Sequence, residues 1–301
     1  DAPVEAVVRT VRWLLVHEAD LADDGPPIDR ALARLWKREG SWNNDWDLAY
    51  GVYCWLIACE GATTSERRGS AGDPAAAARL PMAELERRAG ARRRLGWEDV
   101  RGVFAEIYEG TEGAVARYGV RPRVGQERGL KHDERILLEP GFIEELAELG
   151  LDRVGIVTGR NLAEWEDVRA RLPLPLDVAV ATDDDGRKPD TAPLRKVLGE
   201  LRPRAFVAVG DTLDDVRMVR RWNETAEGER VPGTAVVLCP EEDEPAYRAA
   251  GATLFIRRLA ELPAYLLRVF DWTDVNANGS SEAFSERNLM VQDYLALGTL
   301  R

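Results

Sequence analysis

Cysteine is scarce. It occurs at Cys54, Cys59 and Cys239, an odd count with no Cys-x-x-Cys spacing, which excludes a zinc ribbon or a disulfide scaffold as the organising element. Histidine is scarcer still, and His17 and His132 have no second candidate ligand beside them, so both read as packing residues. Lysine is confined to Lys37, Lys131, Lys188 and Lys196, with arginine supplying the remaining basic charge. No apolar run approaches the roughly 18 residues of a membrane helix, and the first residues lack a secretory pattern; the expected setting is a reducing cytoplasm. Net positive charge is missing as well. A formal charge of −12 argues against a protein that tracks a nucleic-acid backbone, yet a locally positive cleft could still take a small anion. What is present is ordinary globular composition, 45% apolar and 31% charged over 301 residues, enough for one large core or a core domain with a smaller companion.

The first part of the chain has helical periodicity. Val4, Val7, Val8, Val11, Leu14 and Leu15 recur on one face, as do Ile28, Leu32, Leu35 and Trp36 after a break at Gly25-Pro26-Pro27. A polar patch, Gly40-Ser41-Trp42-Asn43-Asn44-Asp45, precedes an apolar run from Leu48 to Cys59, with Asn44 or Asp45 suited to cap the helix. Residues 61–79, rich in Gly, Ser, Ala and Arg, read as a surface loop. Helical character resumes over Trp97–Tyr118, and no strand is expected before residue 130.

Beyond that point the pattern changes. Short apolar runs at Val154–Val157, Val178–Ala181, Phe206–Val209, Ala235–Leu238 and Leu254–Ile256 alternate with helical stretches near 141–149, 161–171, 191–200, 213–222 and 244–250. Alternation of this kind predicts an α/β fold with a Rossmann-like parallel sheet covered on both faces, and ligands of such sheets bind beyond the carboxyl ends of the strands. The expected organisation is a mainly helical cap over 1–130, an α/β core over 131–268 and a tail over 269–301, the last read as a polar linker followed by a helix near 288–297.

Three of the strand ends carry chemistry. Thr158-Gly159-Arg160 places a hydroxyl and open backbone N–H groups where a phosphate oxygen could be held. Gly186-Arg187-Lys188-Pro189-Asp190 sets an ammonium at the mouth of a turn, with Pro189 suited to a helix start. In Gly210-Asp211-Thr212-Leu213-Asp214-Asp215, the carboxylates of Asp211 and Asp215 lie one helical turn apart and can face one hard cation. Each piece alone reads as a turn, a solvated helix start or a cap; their order along successive strands makes the set specific.

Val-Thr-Gly-Arg, Gly-Arg-Lys-Pro-Asp and Val-Gly-Asp-Thr-Leu-Asp-Asp together resemble the second, third and fourth motifs of the haloacid dehalogenase (HAD) superfamily, most closely its phosphoglycolate-phosphatase-like branch, over roughly residues 130–265. The helical first third resembles that branch's cap, and Trp42-Asn43-Asn44-Asp45-Trp46-Asp47-Leu48 is similar to caps of a phosphatase-like subgroup. The resemblance implies a Mg2+-dependent hydrolase of a small phosphorylated metabolite. It implies that Thr158, Gly159, Arg160 and Lys188 grip the phosphoryl group, with Thr158 and Lys188 counted as catalytic, and that Asp211 and Asp215 hold Mg2+. Asn43, Asn44 and Asp45 are then candidates to face the substrate from the cap; Trp42 and Trp46 read first as core residues, with a substrate-facing wall as the alternative.

The superfamily's first motif, a strand ending in Asp-x-Asp, has no clear counterpart. Asp45-Trp46-Asp47 has the spacing, but Lys37-Arg38-Glu39-Gly40-Ser41 before it cannot be a buried strand, and Asp271-Trp272-Thr273-Asp274 has its carboxylates three apart. The missing strand is expected in the middle of the sheet. Either it precedes Asp1 in a longer natural chain, which is the preferred expectation, or catalysis has been dispensed with and another segment such as the tail fills the gap. The rival to an enzyme is therefore a non-catalytic phosphate-ligand-binding or scaffold protein. A Rossmann-type nucleotide binder is disfavoured because no Gly-x-Gly-x-x-Gly follows a strand. Asp274-Val275-Asn276-Ala277-Asn278-Gly279 opens like a calcium loop, but Ser285 stands where the bidentate Glu belongs.

Overall fold

The computed structural model describes residues 2–40, 42–134, 136–149, 153–174, 178–269 and 287–292, with backbone alone at 40, 268, 269 and 287–292. The chain divides into two units, Asp1–Glu134 and Arg135–Arg301. Helices build the first: α1 Ala2–Trp13, α2 Arg30–Gly40, α3 Asp45–Ile57, α4 Thr64–Ser70, α5 Pro74–Ala78, α6 Met82–Ala89, α7 Trp97–Glu109 and α8 Thr111–Tyr118. Its core is aromatic. Trp36 is fully buried, with Trp42 and Trp55 rings each 5.5 Å from it. Gly51 on α3 is required there, because a Cβ would lie 2.8 Å from the Trp42 ring. From Leu48 to Ile57 every residue of α3 is buried, so this helix is the unit's axis. Each such Leu or Val is worth about 1.5–3 kcal/mol relative to exposure.

Residues 61–79, expected as a loop, instead contain α4 and α5. Side chains of Thr63 and Asp73 accept hydrogen bonds from Glu66 N and Ala75 N and so start these helices, with Pro74 at the first turn where its missing N–H is harmless. A buried carboxylate secures the chain after α8. Glu106 accepts from the N–H groups of Arg123 (2.6 Å), Val124 (3.1 Å) and Gly125 (3.2 Å), and from the Thr111 hydroxyl (3.0 Å), satisfying backbone donors that no helix or sheet pairs.

The second unit is a six-stranded sheet in the order β2-β1-β6-β3-β4-β5. Its strands are β1 Val154–Val157, β2 Ala179–Ala181, β3 Ala205–Gly210, β4 Gly233–Leu238, β5 Leu254–Ile256 and β6 Arg287–Gln292, and every pairing is parallel. The helices are α9 Phe142–Glu148, α10 Leu162–Arg169, α11 Ala192–Leu201, α12 Leu213–Asn223, α13 Ala226–Arg230, α14 Glu244–Ala250 and α15 Leu262–Val269. Because side chains alternate along a strand, Ile156, Val207 and Val209 face one apolar layer with Leu146, Trp165 and Leu266, whereas Val157, Phe206 and Ala208 face a second with Leu194, Met218 and Trp222. Both faces of the sheet are covered, as the run of short apolar strands predicts.

The tail departs from expectation. Arg287–Gln292 is not helical: it is β6, inserted between β1 and β3, with Leu289 level with Val154 on one side and Val207 on the other. A segment with only Leu289-Met290-Val291 as its apolar run can be a central strand because both edges are paired by parallel neighbours. The middle of the sheet is therefore occupied by a strand from the far end of the chain. Asp271–Asp274 and Asp274–Gly279, weighed above as a carboxylate pair and a calcium loop, lie outside the described residues.

Candidate functional site

All strands being parallel, their carboxyl ends share one edge, and Thr158, Lys188, Asp211 and Asp215 gather there. Thr158 follows β1 directly. It is buried at 3% exposure, its N–H donates to Ala181 O on β2 (2.9 Å), and its Oγ1 accepts from Arg160 N (3.1 Å). Thr158-Gly159-Arg160 thus forms a tight turn that ends at Asn161, whose side chain caps α10. One strand, β6, separates β1 from β3, so Thr158 and Asp211 stand about 10 Å apart at the edge, two strand spacings.

The acidic turn Asp183-Asp184-Asp185 after β2 is structural. Asp183 N donates to Arg160 O (2.9 Å) and Leu162 N donates to Asp184 Oδ2 (2.9 Å), which binds the loop after β1 to the loop after β2. Asp185 accepts from Thr182 N (3.0 Å) and from Lys196 (2.8 Å). The Lys196 ammonium and the Thr182 N–H hold the Asp185 carboxyl below the usual range. From this anchored turn Lys188 reaches across the edge, and its Nζ donates to Asp215 Oδ1 at 2.8 Å, with side-chain exposures of 10% and 3%. The Lys188–Pro189 bond is cis.

Asp215 has a role that its spacing from Asp211 did not reveal. Its Oδ2 accepts from Asp211 N (3.2 Å), Thr212 N (2.9 Å) and Thr212 Oγ1 (2.7 Å), while Thr212 Oγ1 accepts from Asp215 N (3.3 Å). This is a capping box closing the start of α12. With Lys188 on Oδ1, four donors engage the carboxylate. Asp215, expected as a Mg2+ ligand, anchors Lys188 and the β3–α12 turn. Gly210 makes the approach possible, since a Cβ there would sit 2.5 Å from Asp215 Cβ. Asp211 is held through its backbone, its N–H on Asp215 and its carbonyl accepting from the Tyr247 hydroxyl at 2.5 Å.

Does this edge suit the cation that the motifs imply? Among the described residues, no group of three or more His, Cys, Asp or Glu is placed to hold a metal. Those residues form no dedicated multi-carboxylate cage, and Mg2+ needs only one or two carboxylates when waters and phosphate oxygens complete its shell. Asp211 beside the compensated Lys188–Asp215 pair fits such a sparse site.

In the helical unit the candidate substrate residues have local work. Asn44 caps α3, its Oδ1 accepting from Trp46 N (2.9 Å) and Asp47 N (3.1 Å). Asp45 pairs with Lys37 at 2.8 Å, and Asp47 accepts from Trp97 Nε1 at 2.7 Å. The carboxylates of Asp45-Trp46-Asp47 therefore belong to the start of α3. Asn43, half-buried, precedes the cap. Trp42 lies in the core, its first reading, at 8% exposure with its Nε1 donating to Ala78 O (2.7 Å). Trp46 is half-buried under the Arg101 guanidinium, 4.9 Å from its ring.

The family model for haloacid dehalogenase-like hydrolases matches residues 33–222, which holds all four edge residues. The chain belongs to this family. Among solved structures, this hydrolase is similar to the phosphatase Tt82 from Thermococcus thioreducens, with a TM-score of 0.57 and 19% identity over 82% of this chain and 92% of that one; the two share a fold. A structural-genomics structure aligns with a TM-score of 0.48 at 15% identity, over 90% of this chain and 95% of that one. No curated protein sequence matches. Two contributors to the site went unread in the sequence. Thr212 was signalled by the hydroxyl-x-x-acid spacing of Thr212 and Asp215; Tyr247, thirty-six positions from Asp211, had no signal.

Proposed function

We propose that this hydrolase is a Mg2+-dependent phosphomonoesterase acting on a small phosphorylated metabolite. One observation carries the reading: Lys188 from the loop after β2 meets Asp215 from the turn after β3 at 2.8 Å, at the same sheet edge as the buried Thr158. An ammonium, a hydroxyl with an adjacent turn of backbone N–H groups, and a further carboxylate at Asp211 are the donors and acceptors that a phosphate monoester and its cation require.

In this reading Thr158, with the backbone of Gly159 and Arg160, binds the phosphoryl oxygens, and Arg160 adds positive charge. Lys188 neutralises the phosphoryl group as charge builds on it, held in place beforehand by Asp215; an arranged donor of this kind lowers the barrier because nothing must reorganise during reaction. Asp211 holds the cation, which when bound would draw charge from the phosphoryl oxygens. The family chemistry proceeds through an aspartyl-phosphate, and the nucleophile belongs to the first motif, which the described residues do not contain. Asn43, Asn44 and Asp45 remain substrate-facing candidates, and Asn44 and Asp45 also serve the start of α3.

The supporting test measures phosphate release from a panel of phosphomonoesters with Mg2+ and with chelator. Asp211→Ala in the natural full-length chain is expected to abolish Mg2+-dependent turnover. Unchanged turnover in that variant would refute the assignment. A second reading rests on a specific observation: the central position of the sheet is filled by β6, Arg287–Gln292, a strand from the tail. A non-catalytic protein that keeps the phosphate grip would bind inorganic phosphate at this edge and release none from any ester.

A further inference from the structure

We infer that Tyr247 is a positioning residue for the cation-binding carboxylate, acting through the backbone of Asp211. The inference rests on Asp211 being that carboxylate. Tyr247 lies on α14 and donates its hydroxyl to the carbonyl of Asp211 at 2.5 Å. That carbonyl sits where β3 ends and the turn to α12 begins, beyond the sheet's own hydrogen bonds. The preceding N–H of Asp211 is taken by Asp215. Between them, Asp215 and Tyr247 fix the two polar groups of this one residue, and its Cα, from which the carboxylate extends, has little freedom left.

The phenol can act as a fixed point because α14 is itself tied down. Tyr247 packs against Val216, Val237, Cys239 and Ala252, and its carbonyl accepts from Ala252 N at 3.0 Å. Glu244, one turn earlier, pairs with Arg257, which also donates to Cys239 O at 2.7 Å. Arg248 lies over the Phe255 ring, 4.4 Å from its centre. The strands β4 and β5 thereby hold the helix from below while its tyrosine reaches the end of β3. A packing role alone would be served by phenylalanine; the hydroxyl is what the carbonyl of Asp211 requires. Groups that orient a metal ligand without touching the metal commonly matter as much as the ligand's own geometry.

The experiment compares Tyr247→Phe, which keeps the ring, with Tyr265→Phe, which removes another phenol of the same unit, one whose hydroxyl accepts from Phe255 N at 3.3 Å. Mn2+ is the probe cation, titrated by calorimetry into wild type, both variants and Asp211→Ala, with thermal melting recorded for each. Tyr247→Phe is expected to weaken Mn2+ binding about tenfold, the lower end for loss of an outer-shell partner, while Tyr265→Phe leaves it unchanged. Equal Mn2+ affinity in wild type and Tyr247→Phe, with binding lost in Asp211→Ala, would overturn the positioning role alone. Equal weakening in both tyrosine variants would overturn it too, by showing general loosening. Wild-type protein that binds no Mn2+, or binds it regardless of Asp211, would overturn the reading of Asp211 on which the role depends.

Discussion

Replacing Asp215 with alanine separates the two roles that a carboxylate at this position could have. The change strands the Lys188 ammonium at 10% side-chain exposure and leaves the N–H groups of Asp211 and Thr212 without their acceptor. Removing one partner of a buried ion pair costs about 3–5 kcal/mol, and loss of a helix cap about 1 kcal/mol; the two overlap because the same oxygens serve both. A total near 4 kcal/mol is a large part of the roughly 5–15 kcal/mol that holds a domain together. At about 2–4 °C per kcal/mol for a domain of this size, melting should fall by about 10 °C. Lys188→Met makes an informative companion, because it removes the cation and leaves Asp215 its three turn donors, for a smaller loss of about 2 kcal/mol. Thermal and urea unfolding of wild type, both single variants and the double variant would give the coupling between them. If Asp215→Ala shifts stability no more than a surface substitution, about 0.5 kcal/mol, Asp215 is not the anchor described here, and a metal-ligand role for it returns.

Other outcomes follow from the same structure. Gly51→Ala drives a Cβ to 2.8 Å from the Trp42 ring and should destabilise the helical unit by about 1–3 kcal/mol, read as an early transition in urea; a neutral result would show that Trp42 has room to move. Burial pushes the Cys54 thiol up to about 12 and the Cys239 thiol up to about 11, so at pH 8 neither forms appreciable thiolate. Ellman's reagent should label both only after denaturation, and fast labelling of either in the native chain would contradict its burial.

The parallel sheet was legible because β1 to β5 are apolar runs that alternate with helices, and the same pattern pointed to the edge where Thr158, Lys188 and Asp211 lie. Strand β6 was not legible. Three apolar residues between Asn288 and Gln292 fit a helix as well as a strand, and only pairing on both edges decides for the strand. The anchoring role of Asp215 was not legible for a different reason: a spacing of four residues from Asp211 suits a ligand pair and a capping box equally, and its partner Lys188 lies twenty-seven positions away. For Trp42 the core reading holds and the cleft-wall alternative does not: its neighbours in sequence are polar, while its neighbours in space are Trp36 and Gly51. Tyr247 could not have been found at all, since its partner is a backbone carbonyl.

The most direct measurement is a crystal structure of the chain with Mn2+ and inorganic phosphate, with anomalous scattering to place the metal. The account predicts manganese on the Asp211 carboxylate, phosphate between the Thr158 turn and Lys188, and Asp215 still bound to Lys188. Manganese on Asp215 with Lys188 displaced, or phosphate anywhere other than this edge of the sheet, would contradict it.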